Sequence, residues 1–294
     1  MTTLARGIDH IVLAVGDLEA ARRHFANLGF TCTPPAKHPF GTGNSLVQLQ
    51  NSFIELVTVV EPERIVPMSK TQFSFSAKTA EFLEHGEGMA MLVMSSNDAR
   101  ADNEAWAARG LGTFEVVDFS RQAGLPDGGT AVVAFSIAFA VDPGMQDIAF
   151  FVCQQHAPQH FWQAAYQRHA NGAKEIVSIT LAAAQPDRHA DFFASFLAEA
   201  RIETSPEQLL VDAPRGRIEV LRPEALEARF AGVVPAVKGD QACFVAVTVT
   251  VADTAPLAAD FTDRGIAHVK DQERILLPAE DNFGLAIEVL PANS

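Results

Sequence analysis

A pattern of apolar and polar positions recurs along the chain, and its first copy occupies residues 7–30. The copy begins with an apolar run from Ile8 to Val15, which is typical of a buried strand. Asp17 follows, and aspartate favours the start of a helix because its carboxylate accepts backbone N–H groups that lack a partner within the helix. Gly29 marks the predicted end of that helix, since glycine adopts the left-handed conformation found there.

The same pattern returns three more times. A shift of 81 positions places Asp17, Phe25 and Gly29 on Asp98, Trp106 and Gly110, and a shift of 236 places them on Asp253, Phe261 and Gly265. The third copy keeps Phe193 but has Gln185 and Leu197 at the other two positions. Each copy continues into further strand-like segments, so the chain is predicted to be an α+β protein made of four βαβββ units.

Two segments lie outside these units. Residues 154–172 combine a loop, a short helical pattern and an Asn-Gly stop, which indicates a connector between two halves. Residues 61–88 form an insertion with Phe73, Phe75 and Phe82. The insertion is predicted either to cover a cavity or to pack on a sheet.

Composition and charge limit which binding partners and which cellular compartment are expected. The chain has 294 residues, a formal net charge of −14 and a pI of about 5.0, which argues against nucleic acid or an anionic membrane as a partner. The three cysteines form no CxxC pair, the start carries no secretory pattern, and no apolar stretch is long enough for a membrane helix. A cytoplasmic protein is therefore expected.

Three motifs carry a resemblance to a known family. The sequences GIDHIVLAVGDLEAARRHF from residue 7, GTGN at 41–44 and SFIELV at 52–57 resemble the vicinal oxygen chelate superfamily, in particular its glyoxalase-like domain branch, whose fold is shared by glyoxalases, bleomycin resistance proteins and extradiol dioxygenases. The resemblance is strong over residues 7–60, moderate to residue 156 and weak over 174–294. It covers enzymes and metal-free binding proteins, so the fold alone does not fix the function.

The resemblance implies how the units pair. Two units should form one cupped, mixed sheet around a cavity, which gives two glyoxalase-like domains. The first is expected over residues 1–156, with the active or binding cup. A connector over 157–173 then leads to a more degenerate second domain over 174–294. A homodimer is a further expectation from the family.

The family places metal ligands on the first and last strands of each unit, and in the first unit these positions read His10 and Glu55. An imidazole and a carboxylate suit a divalent ion such as Zn, Ni, Fe or Mn. Alternation along the strand predicts that His10 shares a face with Ile8 and Val12. The corresponding positions of the second unit are predicted to be Met91 and Phe150, and neither side chain is a ligand for such an ion.

Loop residues would therefore have to complete a metal site in the first domain. The candidates for the missing ligands are His38, His85, Glu87 and His156. Asn44 of the GTGN turn, or the preceding His38, is predicted to line the cavity mouth. In the second domain the ligand positions read Ser178, Ala246, Glu219 and Glu288. Arg217 is expected to pair with Glu219, so this domain is predicted to be mainly structural.

Two functions remain open from the sequence, beside a degenerate oligomeric scaffold without a cavity large enough for a ligand. The first is a metal-dependent glyoxalase-like enzyme, of the lyase or dioxygenase type, which acts on a small, partly apolar substrate with vicinal oxygens. In that enzyme His10 and Glu55 would hold the metal and Glu55 would be catalytic. The alternative is a metal-free protein of the same fold that binds or sequesters a small molecule; Met91 and Phe150 at the remaining ligand positions favour it.

Overall fold

A computed structural model describes residues 6–237 and 241–292. Within these residues the strands of the first mixed sheet are β1 (Ile8–Ala14), β2 (Ala36–Lys37), β3 (Thr42–Gln48), β4 (Phe53–Val59), β5 (Gly88–Ser95), β6 (Gly112–Thr113), β7 (Val117–Gly124), β8 (Thr130–Val141) and β9 (Ala149–Gln155). The strands of the second sheet are β10 (Ala173–Ala182), β11 (Arg201–Thr204), β12 (Gln208–Asp212), β13 (Arg217–Leu221), β14 (Cys243–Val251), β15 (Val269–Asp271), β16 (Arg274–Leu277) and β17 (Ala286–Pro291).

The helices lie between these strands in the chain. They are α1 (Leu18–Asn27), α2 (Phe75–His85), α3 (Ala99–Ala108), α4 (Pro158–Phe161), α5 (Ala190–Phe196), α6 (Pro223–Phe230) and α7 (Thr254–Asp263). Short 3-10 turns occupy Pro62–Arg64, Pro186–His189 and Ala279–Asp281. None of the helices in the described residues is long and apolar enough to cross a membrane.

Both sheets are built from two units that meet at the centre. In the first sheet β1 runs antiparallel to β5, while β4 is parallel to β1 and β9 is parallel to β5. In the second sheet β10 meets β14 in the same way, with β13 and β17 as their parallel neighbours. The predicted α+β architecture, four units paired into two cupped sheets, is confirmed.

The landmark residues of the repeat have the predicted local roles. The side chains of Asp17, Asp98 and Asp253 accept backbone N–H groups at the starts of α1, α3 and α7. Gly29, Gly110 and Gly265 follow the ends of those helices with φ values of 87°, 82° and 67°. The third unit lacks a side-chain cap at Gln185, in agreement with its weaker pattern.

One continuous apolar core joins the helix-covered faces of both sheets. Trp106 of α3 is buried there, and its indole N–H donates to the backbone oxygen of Phe196 at 3.2 Å. The opposite face of each sheet is concave and has its own apolar cluster. These two concave faces, called here the first cup and the second cup, are the places where a ligand site can lie.

The second cup is filled by α6, a helix that the sequence pattern did not predict. Leu226 and Phe230 of α6 are buried against the concave face. Arg229 lies on the same helix and forms ion pairs with Glu219 and, at 3.0 Å, with Glu288. The prediction that Arg217 pairs with Glu219 is wrong, because Arg217 bonds to Asp212 at 2.5 Å instead.

Candidate functional site

The first cup contains a cavity with an atom-free volume of about 430 Å³, part of which is open to solvent. Seven phenylalanines line it, together with Leu46, Ile137 and Cys153. Its remaining lining residues are His10, His38, Glu55 and Arg121. The cavity is therefore a largely aromatic space with one small group of polar side chains.

His10 lies on β1 and is held from two sides. Its Nδ1 donates to Asp9 Oδ2 at 2.7 Å, and its ring stacks on Phe53 with centroids 4.2 Å apart. The carboxylate of Asp9 thereby fixes the orientation of the ring and leaves Nε2 directed toward the carboxylate of Glu55, 3.7 Å away. The arrangement can accept or donate a proton at Nε2 within an apolar wall.

A β-bulge explains why Ile8 departs from the predicted alternation. The register between β1 and β5 shifts between Ile8 and His10. Ile8 consequently packs in the core between the domains, whereas His10 and Val12 lie on the cup face. In this irregular segment of β1 the carboxylate of Asp9 bonds to the ring of the next residue, His10.

Glu55 is the buried carboxylate of the site. It lies on β4, with only 5% of its surface exposed. Its Oε1 accepts a hydrogen bond from Asn44 Nδ2 at 2.5 Å and lies 3.5 Å from His38 Nε2. These contacts offset part of the cost of burying the carboxylate, which an apolar wall alone would leave uncompensated.

His38 is neutral in the folded protein. Its Nδ1 lies 2.8 Å from the hydroxyl of Thr42, and its ring packs against Phe40 and Phe119. Burial, with smaller contributions from Arg121 and His10, lowers the pKa of His38 from 6.5 to about 3. The attraction of Glu55 at 3.5 Å does not offset this loss of hydration, so His38 acts as a neutral hydrogen-bonding group.

The buried His38 predicts a pH-dependent stability. Between pH 6.5 and about 3 the unfolded chain binds a proton at this residue and the folded protein does not, so stability falls as the pH is lowered. We expect His38→Gln to reduce the slope of the unfolding free energy against pH by about 1.4 kcal/mol per pH unit below pH 6. Urea unfolding at pH 7, 6 and 5 measures this slope. An unchanged slope in His38→Gln would contradict the assignment.

Three residues that the sequence placed at the ligand positions or among the candidate ligands do not line the cavity. Phe150 points to the opposite face of β9 and packs in the core between the domains, 5.0 Å from Phe192. The side chain facing the cavity is that of Phe151, because a shift of one residue along a strand reverses the face. His156 is exposed and bonds to Ser136 at 2.8 Å. Met91 faces the cup but is buried beneath the cavity wall.

The structure brings together four of the predicted residues as one polar group: His10, Glu55, His38 and Asn44. The sequence analysis missed Asp9, Arg121 and Phe161. Arg121 lies two positions after Phe119 on β7, so the two side chains are on the same face of the strand. An arginine on an otherwise apolar strand face was the signal in the sequence that could have identified it. Phe161 comes from the predicted connector, where α4 places its ring 5.1 Å from Phe53. Only tertiary packing reveals that the connector closes one side of the cavity.

The residues present do not fit the family's four-ligand metal site. His10 Nε2 and Glu55 Oε2 offer two donor atoms 3.7 Å apart, but the equivalent positions of the second unit hold Met91 and Phe151. Across the described ranges, no group of three or more His, Cys, Asp or Glu side chains is arranged to hold a metal ion. Glu55 Oε1 accepts from Asn44 Nδ2, whereas Asn44 Oδ1 is buried without a hydrogen bond among the described residues.

Comparisons with known proteins identify the fold and the family. A hypothetical protein from Staphylococcus aureus is similar over 98% of this chain and 100% of its own, with 12% identity and a TM-score of 0.67. A mutant of 4-hydroxymandelate synthase from Streptomyces coelicolor is similar over 99% and 95%, with 13% identity and a TM-score of 0.57. A xylose isomerase-like TIM barrel/4-hydroxyphenylpyruvate dioxygenase fusion protein is similar over 99% of this chain and 50% of its own, with 14% identity and a TM-score of 0.51.

These identities show a shared fold and nothing about the reaction. No protein of curated function matches the sequence. The model of the glyoxalase-like domain matches residues 8–197, which comprise the whole first sheet and the start of the second. Because this match spans more than half of the chain, the protein belongs to the glyoxalase-like domain family.

Proposed function

We propose that the first domain binds a small, partly apolar molecule in its cup and that this binding needs no divalent metal. The observation that carries the proposal is the lining of the cavity, in which seven phenylalanines surround a small group of polar side chains that includes His10 and Glu55. Apolar walls with a few placed polar groups are typical of small-molecule sites. His10 and Glu55 then form hydrogen bonds to the ligand and fix its orientation in the cup.

Two neighbouring phenylalanines give a matched test of this site. Phe151 faces the cavity and Phe150 faces the core between the domains. We expect Phe151→Leu to weaken the binding of a flat neutral probe, 2-naphthamide, by about 10-fold, because the probe loses an aromatic contact. Phe150→Leu should change the dissociation constant by less than about 2-fold. Calorimetric titration of EDTA-dialysed protein measures both, and equal effects of the two substitutions would contradict the placement of the ligand.

The metal-free character is tested in the same titrations. Addition of one equivalent of Zn²⁺, Ni²⁺, Fe²⁺ or Mn²⁺ should leave the affinity for 2-naphthamide unchanged. Binding that appears only after metal is added would overturn this part of the proposal.

A metal-dependent glyoxalase-like enzyme remains the second candidate function. One observation favours it: His10 Nε2 and Glu55 Oε2 lie 3.7 Å apart at the two family ligand positions of the first unit. That candidate predicts stoichiometric metal in protein purified without chelators, and loss of the metal in both His10→Ala and Glu55→Gln. Substoichiometric metal that does not increase on reconstitution would exclude it.

A further inference from the structure

Arg121 differs from His10, His38 and Glu55 of the first cup because it has no partner of opposite charge among the described residues. It projects from β7 into the wall of the cavity, beside the apolar ring of Phe119. In this described part of the chain its Nε is buried without a hydrogen bond, while its Nη1, on the exposed side, donates to the backbone oxygen of Gln122 at 3.2 Å. No carboxylate in the described part of the chain lies within ion-pair distance of its guanidinium.

The buried Nε of Arg121 is costly, because burial removes hydration that no described protein group replaces. Burial lowers the pKa of Arg121, and the charge of Glu55 acts against this effect. An arginine nevertheless keeps its charge in proteins, so the site contains a fixed cation. Glu55 does not neutralise it by contact, since its oxygens are occupied by Asn44 and face the two histidines.

The surface outside Arg121 is also basic. Arg121 lines a wide groove that leads to the cup, and Lys37 and Arg64 belong to the same groove. Both of these cations share one acid, Glu61, at 3.2 Å and 3.9 Å, so the groove retains an excess of positive charge. In a chain whose formal net charge is −14, this local excess attracts anions toward one entrance.

From these features we infer that the ligand of the first cup is a flat, largely aromatic molecule with one negatively charged group, and that Arg121 binds that group. The inference rests on the proposed function and specifies its ligand class. A carboxylate or a comparable oxyanion matches the planar fork of a guanidinium and would satisfy its buried donor. The phenylalanines of the cavity would enclose the apolar part of the same molecule.

A pair of probes that differ only in charge tests the inference. 2-Naphthoate and 2-naphthamide share one shape, and only the first carries a negative charge. We expect the wild-type protein to bind naphthoate at least about 10-fold more tightly than naphthamide, as a charge-assisted hydrogen bond requires. Arg121→Gln should abolish this preference, so that the affinities for naphthoate and naphthamide lie within about 2-fold of each other.

Two further variants separate the role of the charge at Arg121 from that of the basic residues in the outer groove. Arg121→Lys retains the charge and should retain part of the preference. Arg64→Gln, in the outer groove, should slow the association of naphthoate but preserve its advantage over naphthamide. Equal affinities of the two probes in the wild type, or a preference that survives Arg121→Gln, would overturn the inference while the proposed function stands. If neither probe binds, the proposed function fails together with the inference.

Discussion

Replacing Phe150 by alanine is expected to lower the free energy of unfolding by about 3–5 kcal/mol, the cost typical of truncating a fully buried phenylalanine. Phe150 is 1% exposed and contacts Phe192, Phe193, Phe196 and Phe244 of the second domain, with ring centroids 5.0 to 6.0 Å apart. The substitution therefore opens a cavity at the contact between the two sheets. Chemical denaturation followed by circular dichroism measures the loss.

Phe151 is the control for that experiment. It is as buried as its neighbour but lies in the wall of an existing cavity, where Phe151→Leu removes contacts without opening a new void in the core between the domains. We expect Phe151→Leu to cost less than about 1.5 kcal/mol. A loss below about 1 kcal/mol in Phe150→Ala would show that the two domains do not share the core described above.

Replacing Arg229 by methionine is expected to destabilise the protein by about 3 kcal/mol, because two buried carboxylates lose their common cation. Glu288 is 2% exposed and Glu219 is 6% exposed, and Arg229 pairs with both. The expected cost lies at the lower end of the range for buried pairs, since Arg274 Nη1 remains 3.4 Å from Glu288. Urea unfolding at pH 7 measures the effect.

A double substitution separates the effect of the lost positive charge of Arg229 from the effect of its lost packing contacts. Glu219→Gln in the Arg229→Met background should recover part of the lost stability, because an uncharged amide no longer needs the arginine. Arg217→Met is the matched surface control: its ion pair with Asp212 is largely exposed, and its loss should cost less than about 1 kcal/mol. An equal cost for Arg229→Met and Arg217→Met would contradict the structural role assigned to the second cup.

The contrast between the two cups follows from the segments that link the units. Helix α2 and helix α6 occupy equivalent places in the chain, each between the last strand of one unit and the first strand of the next. Phe75 at the start of α2 lines the first cavity, so the insertion over 61–88 covers the cavity and packs on the sheet at once. Arg229 of α6 instead occupies the second cup and neutralises its acids. A shared architecture has thus produced one open site and one filled site.

The sequence by itself determined the features that depend on local patterns. Capping by Asp17, the left-handed glycine at Gly29 and the alternation of apolar residues act within a few positions, so a repeat of these signals was enough to predict four units. The resemblance to a known family singled out His10 and Glu55 as a pair, and the structure places their side chains 3.7 Å apart on adjacent strands. The short strands and the helix α6 were missed because their residues are fixed by contacts with distant parts of the chain.

Only the tertiary structure decided which side chains meet in the cup. Phe151 rather than Phe150 faces the cavity, because strand register is set by pairing with β5 and a one-residue difference reverses the face. Arg121 and Phe161 approach His10 from segments more than a hundred positions away, so no local pattern could place them there. The charge state of His38 depends on the loss of surrounding water, and this too exists only after the chain has folded.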